Sequence, residues 1–328
     1  MDINLQYTTI KDPLPDFIYE DLKRFSREAN FYHPQPEELI EKLSQKHYLP
    51  KEMFYLTAGC DEALQMFILT YGKNTLVFTP TYVVYSDVEV YGGRLTKIYS
   101  IFDSQYKINS QKYSQVKLII LANPNNPSGY TEKSEVIKLI ENNRHAVVII
   151  DEAYGEFAPE LSVIKLVPKY KNLAVLRSFS KDYAMAGNRV GYIIASPELI
   201  SSVRNKTQWS NVSYLSVGAA ISALNHEEYF AKIRECIHKR REKFISFLRK
   251  AGFTVLPSKI NAVLIKFSTE KQAGNFVKFL KQHKIIISHG NGNSNIGLDF
   301  SFVRIAIGNK EQMDKVVDVI KNFNKTKT

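Results

Sequence analysis

Short apolar runs alternate with helical stretches between about residues 50 and 225, and this alternation constrains the fold more than any other feature. The apolar runs cover residues 75–78, 116–121, 147–150, 173–176 and 192–195. Runs of this length and composition predict buried strands. Helical stretches between them favour a mainly parallel sheet with helices on both faces. We therefore expect an α/β protein whose large domain, with a mainly parallel (mixed) sheet, spans residues 49–225.

The pattern changes after Pro197. Long charged helices are predicted over residues 197–224 and 227–251, and a shorter unit of strands and helices follows them. This order predicts a smaller α+β domain over residues 226–328. Residues 1–48 hold two helical stretches, and we expect this N-terminal arm and its helices to pack with the small domain. A chain of 328 residues is long enough for two domains.

The composition excludes several classes of protein. The formal net charge is +11, but the lysines are scattered over helices and form no basic stripe with aromatic residues. We therefore expect no nucleic-acid partner. No apolar run of about 18 residues and no signal peptide is visible, so we expect no membrane partner. Cys60 and Cys236 are too few for a disulfide framework and lack metal-ligand spacing, which favours a metal-free protein in the cytoplasm.

Polar residues follow three successive strands of the predicted sheet. Asn126 follows the strand that ends at residue 121, Asp151 and Tyr154 follow the next, and Ser178 and Lys181 follow the third. Ligands bind at the carboxyl ends of strands in open parallel sheets. Taken singly, the Asn-Pro segment is ordinary turn chemistry. A strand that ends in Asp-Glu is also typical of a magnesium site in an ATPase, but the phosphate-binding loop of that class is absent.

Lys181 follows two serines, Ser178 and Ser180, and lies eight positions before Arg189. A lysine that attacks a carbonyl must be uncharged part of the time, although its ordinary pKa is ~10.4. Apolar surroundings or a second cation lower that pKa. Ser178 and Arg189 supply donors of the kind that hold a phosphate. The segment predicts a nucleophilic amine beside an anion site, with an ordinary surface loop as the alternative.

Together the three strand ends resemble those of the fold-type-I pyridoxal-phosphate enzymes. This is the aspartate aminotransferase superfamily, and the resemblance is to its histidinol-phosphate aminotransferase-like branch, from about residue 30 to the C-terminus. It implies an aspartate aminotransferase-like fold, pyridoxal 5'-phosphate as cofactor, and a homodimer with active sites at the subunit interface. It also implies a transaminase that moves an amino group between an amino acid donor and a small keto acceptor, with or without a phosphate.

The resemblance assigns the residues around the cofactor ring. Lys181 would form the internal aldimine and later move the proton at the substrate α-carbon. Asp151 would face the pyridine nitrogen and keep it protonated. Asn126 and Tyr154 would hydrogen-bond the 3-oxygen, and Tyr82 would stack on the ring. Core packing at the start of a helix is the alternative for Tyr82.

The resemblance also assigns two anion sites. Ser178 and Arg189 would bind the cofactor phosphate together with Cys60 and Asp61, which precede a helix and offer its free N–H groups. Arg304 lies inside an apolar run near the C-terminus. It would grip the substrate α-carboxylate in a bidentate fork. Because a buried arginine needs an anionic partner, an ion pair within the protein is the alternative.

The sequence departs from the family pattern at three places. Residues 8–15 replace the usual Asn-Glu-Asn-Pro-like stretch of the arm. The tyrosine that reaches the phosphate in the neighbouring subunit aligns with either Phe31 or Tyr32, and we favour Tyr32 because it carries a hydroxyl. The arginine that helps hold a substrate phosphate is replaced by Ser288 and His289. We expect His289 to substitute partly for it, with a charge that depends on pH.

Three other functions remain open on the residues alone. A decarboxylase of a phosphorylated amino acid fits the same scaffold, because the sequence does not fix which bond at the α-carbon is broken. A non-catalytic relative would not need Lys181 or the ring contacts, which are all present. A nucleic-acid-binding protein would show salt-sensitive binding, which we do not expect.

Overall fold

The structure of the chain is a computed structural model that describes residues 2–292 and 294–325. The helices within these residues are α1 Asp16–Ser26, α2 Glu37–His47, α3 Cys60–Tyr71, α4 Asp87–Val90, α5 Lys133–Asn142, α6 Phe179–Asp182, α7 Pro197–Val203, α8 Tyr214–Asn225, α9 Glu227–Lys250, α10 Glu270–Gln282 and α11 Lys310–Lys325. The strands are β1 Ile3–Asn4, β2 Phe54–Thr57, β3 Asn74–Thr79, β4 Thr81–Tyr82, β5 Arg94–Tyr99, β6 Ile101–Phe102, β7 Gln105–Tyr106, β8 Leu118–Ala122, β9 Val147–Asp151, β10 Leu173–Ser178, β11 Gly191–Ala195, β12 Thr254–Val255, β13 Ala262–Lys266, β14 Ile285–Ile286, β15 Ser288–His289, β16 Asn295–Ile296 and β17 Phe302–Ala306.

The large sheet is the mixed, mainly parallel sheet that the apolar runs predict. Its strand order is β2-β11-β10-β9-β8-β3-β5, and β11 runs antiparallel to both of its neighbours while the others are parallel. The two edge strands, β2 and β5, were not among the predicted strands. In β5 no residue is fully buried, so this edge strand carries no continuous apolar run.

Helices cover both faces of this sheet. Alternate residues of a strand point to opposite faces, and because both sets are apolar here, each face packs against helices. In β8, Ile119 packs in the core with α5, whereas Ile120 packs on the other face with α3. Both isoleucines are fully buried. The prediction of an α/β layer structure with helices on both faces is confirmed.

The N-terminal residues divide between the two parts of the molecule. Strand β1 pairs in parallel with β14, next to the small sheet, as expected for an arm that packs with the small domain. Helices α1 and α2 instead pack against α8 and the core of the large sheet, so that part of the expectation for residues 1–48 was wrong. A Cβ atom on Gly218 of α8 would lie 2.4 Å from the ring of Phe25 in α1. The close approach of these helices fixes α1 on the large domain.

The single helix expected over residues 197–224 is broken in the structure. Helix α7 ends at Val203, a short 3₁₀ turn follows, and α8 begins only at Tyr214. Between them the side-chain amide of Asn211 donates to the carbonyl of Leu56 at 3.0 Å and to Oε2 of Glu62 at 2.6 Å. Bonds from an asparagine side chain compete with helical hydrogen bonding. The segment therefore runs along the edge strand β2.

The small sheet is antiparallel with the order β12-β13-β17-β15. Val303 and Ile305 of β17 belong to the apolar core beneath α9, α10 and α11. Arg304, between them, therefore points to the opposite face, toward the large domain. In the described residues no helix is long and apolar enough to cross a membrane.

Candidate active site

A cavity of about 360 Å³ opens where β8, β9 and β10 end. This volume is within the range of small-molecule sites. It is lined by ten of the residues that the sequence singled out: Cys60, Asp61, Tyr82, Asn126, Asp151, Tyr154, Ser178, Lys181, Arg189 and Arg304. The large sheet brings most of them together because its parallel strands end at one edge, and Arg304 reaches the cavity from β17 of the small sheet.

Lys181 lies on the short helix α6. Ser178 caps this helix, since its Oγ accepts from the backbone N–H of Ser180 at 3.0 Å. The Nζ atom of Lys181 is 5.9 Å from the centre of the Tyr154 ring. Burial, and next the nearby Arg304 cation, lower the pKa of Lys181 to about 8. A sizeable fraction of this amine is therefore uncharged near neutral pH.

Asp151 is the last residue of β9 and is held by three donors. The hydroxyl of Tyr85 donates to Oδ2 at 2.8 Å, the N–H of Ala153 donates to Oδ1 at 3.0 Å, and the thiol of Cys60 also bonds the carboxylate. Burial raises the pKa of Asp151 to about 6, while these hydrogen bonds lower it. The carboxylate thus remains mainly ionised at neutral pH and can hold a protonated ring nitrogen.

Tyr85 was missed by the sequence reasoning. It lies deeper in the protein than Tyr82, the tyrosine that the sequence singled out. The two rings meet edge to face at 5.9 Å, one 3₁₀ turn apart. Tyr85 is fully buried, whereas Tyr82 is partly exposed in the cavity and donates from its hydroxyl to Oδ1 of Asp61 at 3.1 Å. The spacing of three residues was the available signal, because it places both rings on one side of the turn.

The N-terminus of α3 forms a cradle with Arg189. Gly59 caps the helix at φ +82°, and a Cβ atom there would lie 2.6 Å from Nη2 of Arg189. Nη2 pairs with Oδ2 of Asp61 at 2.8 Å, and Nη1 reaches Oγ of Ser180 at 3.5 Å. The first N–H groups of a helix have no partner within it. Glycine, guanidinium and helix dipole together make a site for an anion.

Arg304 is 2% exposed and its hydrogen bonds go to neutral groups only. Nη1 donates to Oδ1 of Asn126 at 2.8 Å, and Nη2 donates to the carbonyl of Gln6 at 2.7 Å and to Oγ of Ser294 at 2.9 Å. The Nε atom of Arg304 has no hydrogen-bond partner among the described residues. Burial lowers the pKa of the Arg304 guanidinium. The alternative of an ion pair within the protein is thus not found among the described residues. A buried cation with a free donor fits an anion that arrives from outside.

Tyr154 extends from the loop after β9 and is 5% exposed. Its hydroxyl lies 2.6 Å from Oγ1 of Thr8. Burial raises the pKa of Tyr154 to about 12, against the lowering effects of the Thr8 hydrogen bond and of Arg304. Thr8 and its neighbour Tyr7 also line the cavity, and sequence reasoning had not given either a role.

Two predicted site residues lie outside the cavity. His289 pairs with Val303 across β15 and β17, whereas Ser288 pairs with Arg304. Ser288 therefore shares the face of Arg304, and His289 lies on the opposite face, where its Nε2 bonds the carbonyl of Phe300 at 2.8 Å. The expectation that His289 replaces the lost arginine was wrong, because strand alternation turns it away. Tyr32 is 78% exposed on the surface.

A buried network of ion pairs lies beneath Lys181. Its three cations and three glutamates are Lys46, Arg177, Arg234, Glu152, Glu156 and Glu227. Asp182 is a fourth carboxylate beside them and is 1% exposed. One oxygen accepts from the N–H of Glu156 at 3.0 Å, and the other has no partner. Burial, and next the charge of Glu156, raise the pKa of Asp182 to about 8.

We expect the stability of Asp182→Asn, measured against the wild type, to be greater at pH 8 than at pH 5. The raised pKa means that the folded protein holds a proton that the unfolded chain releases above its ordinary pKa, near ~4. The wild type therefore loses stability as the pH rises toward 8, by up to about 1.4 kcal/mol per pH unit. Asparagine does not titrate and should remove this loss.

Urea unfolding of both proteins at pH 5 and pH 8 measures the effect. Asp314→Asn, which changes an exposed carboxylate on α11, is the matched control. An equal stability difference between Asp182→Asn and wild type at both pH values would show that Asp182 is already ionised.

Comparison with known proteins finds relatives that align with nearly the whole chain. The family described as aminotransferase class I and II matches residues 4–320. A histidinol-phosphate aminotransferase of Clostridium botulinum (strain Okra) is 31% identical in an alignment of 333 positions, which covers 97% of this chain and 92% of that protein.

Two solved structures illustrate the likeness of fold. The histidinol-phosphate aminotransferase from Sinorhizobium meliloti in complex with pyridoxal-5'-phosphate has a TM-score of 0.89 at 20% identity, over 100% of this chain and 92% of that one. L-threonine-O-3-phosphate decarboxylase from Porphyromonas gingivalis has a TM-score of 0.84 at 22% identity, over 98% and 99% of the two chains.

Proposed function

Because the chain belongs to the class I and II aminotransferases, and is a pyridoxal 5'-phosphate-dependent transaminase, we propose that it acts on a small phosphorylated substrate. It would move an amino group between an amino acid and the phosphorylated amine or ketone. The carrying observation is one cavity that holds Lys181, the buried carboxylate of Asp151 and the cation of Arg304, which has no acidic partner among the residues that the structure describes.

The residues of the cavity fit the cofactor group by group. The cradle of Gly59 and Arg189, with Ser178 and the first turn of α3, would hold its phosphate. Asp151 would accept the ring N–H. Asn126 and Tyr154 would face the 3-oxygen, Tyr82 would cover the ring, and Lys181 would hold the aldehyde carbon. When bound, the cofactor supplies an electron sink for the bonding pair released at the substrate α-carbon.

The side chains then have distinct tasks. The uncharged Nζ of Lys181 takes the proton from the α-carbon of the substrate and returns it as general acid. Arg304 grips the anionic group next to that carbon through its free Nε and its Nη atoms. Asp151 keeps its charge against the ring nitrogen with the help of Tyr85. Asp151 and Arg304 are 6% and 2% exposed, and the low dielectric around them strengthens their interactions.

Lys11 supports a substrate with an additional anionic group. It belongs to the same arm as the cavity-lining Tyr7 and Thr8. Its ammonium donates to Oγ1 of Thr9 at 2.8 Å. Burial, and next the charge of Lys181, lower the pKa of Lys11, so the two cations are close enough to repel. A phosphate would relieve this repulsion, and Lys11 would compensate in part for the family arginine, which Ser288 and His289 replace.

The test is a spectral titration of the bound cofactor with matched amines. Histidinol phosphate and histidinol differ only by the phosphate, and the former is suggested by the names of the relatives. We expect the phosphorylated amine to convert the cofactor spectrum to the aminated form at a lower concentration. Equal concentrations for both amines would overturn the phosphate proposal and leave the transaminase intact. With a phosphorylated amino acid as substrate, release of carbon dioxide without amino transfer to 2-oxoglutarate would identify a decarboxylase.

We propose further that the protein is a homodimer in which Tyr32 reaches the cofactor phosphate of the partner. An exposed aromatic cluster supports this surface: Phe31, Tyr32 and Trp209 are 64%, 78% and 68% exposed. The rings of Tyr32 and Trp209 lie 5.7 Å apart. Large exposed aromatic patches are typical of interaction surfaces.

Tyr32→Phe is expected to weaken cofactor binding by about 10- to 100-fold, because one hydrogen bond to a charged group contributes about 1.5–3 kcal/mol. Fluorescence titration of the apoprotein with pyridoxal 5'-phosphate measures the affinity, and sedimentation measures the dimer. Tyr19→Phe, at an exposed tyrosine of α1, is the control. A dimer with unchanged affinity would exclude this role for Tyr32.

A cytoplasmic location is also proposed. Both cysteines, Cys60 and Cys236, carry free thiols, and that of Cys60 bonds a site carboxylate. Free thiols persist in reducing compartments.

A further inference from the structure

Residues 3–8 form a fixed arm along the small sheet. Besides the pairing of β1 with β14, the N–H of Leu5 donates to the carbonyl of Ile286 at 2.8 Å. The carbonyl of Leu5 accepts from the N–H of Ala306 at 3.0 Å. Asn261 donates from its side chain to the carbonyl of Thr8 at 3.0 Å. The backbone of Thr8 is therefore held by the small sheet, independently of its side chain.

The arm contacts two residues of the site. The carbonyl of Gln6 accepts from Arg304, and Oγ1 of Thr8 lies 2.6 Å from the hydroxyl of Tyr154. Thr8 and Tyr154 are 4% and 5% exposed, so the bond is largely shielded from bulk water. Each hydroxyl is the other's sole hydrogen-bond partner among the described residues.

The direction of the bond follows from counting protons. If Tyr154 donated to Thr8, the proton of Thr8 would have no acceptor among the described residues, and the cavity group assigned to Tyr154 would receive no proton from it. If Thr8 donates to Tyr154, the phenol proton is free to point into the cavity. The second arrangement satisfies both hydroxyls once an acceptor, such as the 3-oxygen of the cofactor, occupies the cavity.

We propose that Thr8 is a positioning residue that directs the proton of Tyr154 into the cavity and makes the phenol a stronger donor. A hydrogen bond donated to the phenol oxygen stabilises its negative charge and so makes the phenol more acidic. The proposal rests on the proposed role of Tyr154 beside the cofactor 3-oxygen. A stronger donor there lowers the basicity of the neighbouring nitrogen that joins Lys181 to the cofactor.

The test is the pH titration of the visible absorbance of the cofactor-loaded enzyme. Thr8→Val keeps the shape of the side chain and removes the hydroxyl. We expect it to raise the midpoint of the absorbance change by roughly half a pH unit. Thr8→Ser restores the hydroxyl and should restore the midpoint. An unchanged midpoint in Thr8→Val, or no rescue by Thr8→Ser, would overturn the proposal.

A double-mutant cycle separates this role from a merely structural one. In the Tyr154→Phe background, Thr8→Val should not move the midpoint further, because the proposed action passes through the phenol. An additional shift of equal size would show that Thr8 acts by another route. Failure of the wild type to show any cofactor absorbance would count against the proposed function itself, so the two failures are distinguishable.

Discussion

Replacing Lys181 with alanine should reduce the rate of amino transfer by at least about 10⁴-fold. A positioned acid–base group contributes typically 10²–10⁴-fold to a rate, and Lys181 also provides the amine that holds the cofactor. Among the described residues no other lysine lines the cavity, and the nearby Lys11 is held by a hydrogen bond to Thr9. Steady-state rates with the best amino donor measure the loss.

The same variant should still bind pyridoxal 5'-phosphate, because the cradle at α3 and Asp151 are unchanged. Equilibrium dialysis measures the bound cofactor, and borohydride treatment should fix it to the wild type but not to Lys181→Ala. Lys206→Ala, at an exposed lysine outside the cavity, is the control. Activity of Lys181→Ala within tenfold of the wild type would refute the assignment of the catalytic amine.

Arg304→Gln has the second-largest expected effect, a fall of about 10²–10⁴-fold in kcat/KM for an amino acid. Two charge-assisted hydrogen bonds to a carboxylate contribute about 1.5–3 kcal/mol each, and about 1.4 kcal/mol corresponds to a factor of ten. Glutamine retains an amide that can bond Asn126 but has no positive charge. Single-turnover rates with the amino acid give the change.

Selectivity distinguishes lost recognition from lost structure in this variant. The preference for the amino acid over its analogue without the α-carboxylate should disappear in Arg304→Gln. It should persist in Arg204→Gln, whose arginine is exposed on the turn after α7. If both substrates slow by the same factor, Arg304 supports the fold of the site and does not bind the carboxylate.

The part of the site that lies on the large sheet could be predicted from the sequence. Asn126, Asp151 and Lys181 follow apolar runs, and the ends of parallel strands meet by topology alone. Arg304 was also visible, because a charged residue inside an apolar strand is unusual. For these residues a pattern of local spacing was sufficient to predict a shared location.

The remainder depended on long-range geometry that spacing does not encode. Thr8 reaches Tyr154 through an arm that has no periodic pattern. Which of Ser288 and His289 shares the face of Arg304 depends on the register between β15 and β17. A shift of one residue reverses the two faces. Tyr32 would meet its partner on another chain, about which one sequence carries no geometric information.

The pairing of β1 with β14 has a consequence for the order of events in biosynthesis. Ile3 is translated before its partner Ile285, and nearly all of the large domain lies between them in the sequence. Contacts between residues so far apart in the chain carry a large loop-closure cost and form late. The large sheet can therefore assemble while Thr8 still lacks its place beside Tyr154. During refolding, amino-transfer activity should therefore recover later than secondary structure. The lag is measured between the recovery of far-UV ellipticity and that of amino transfer.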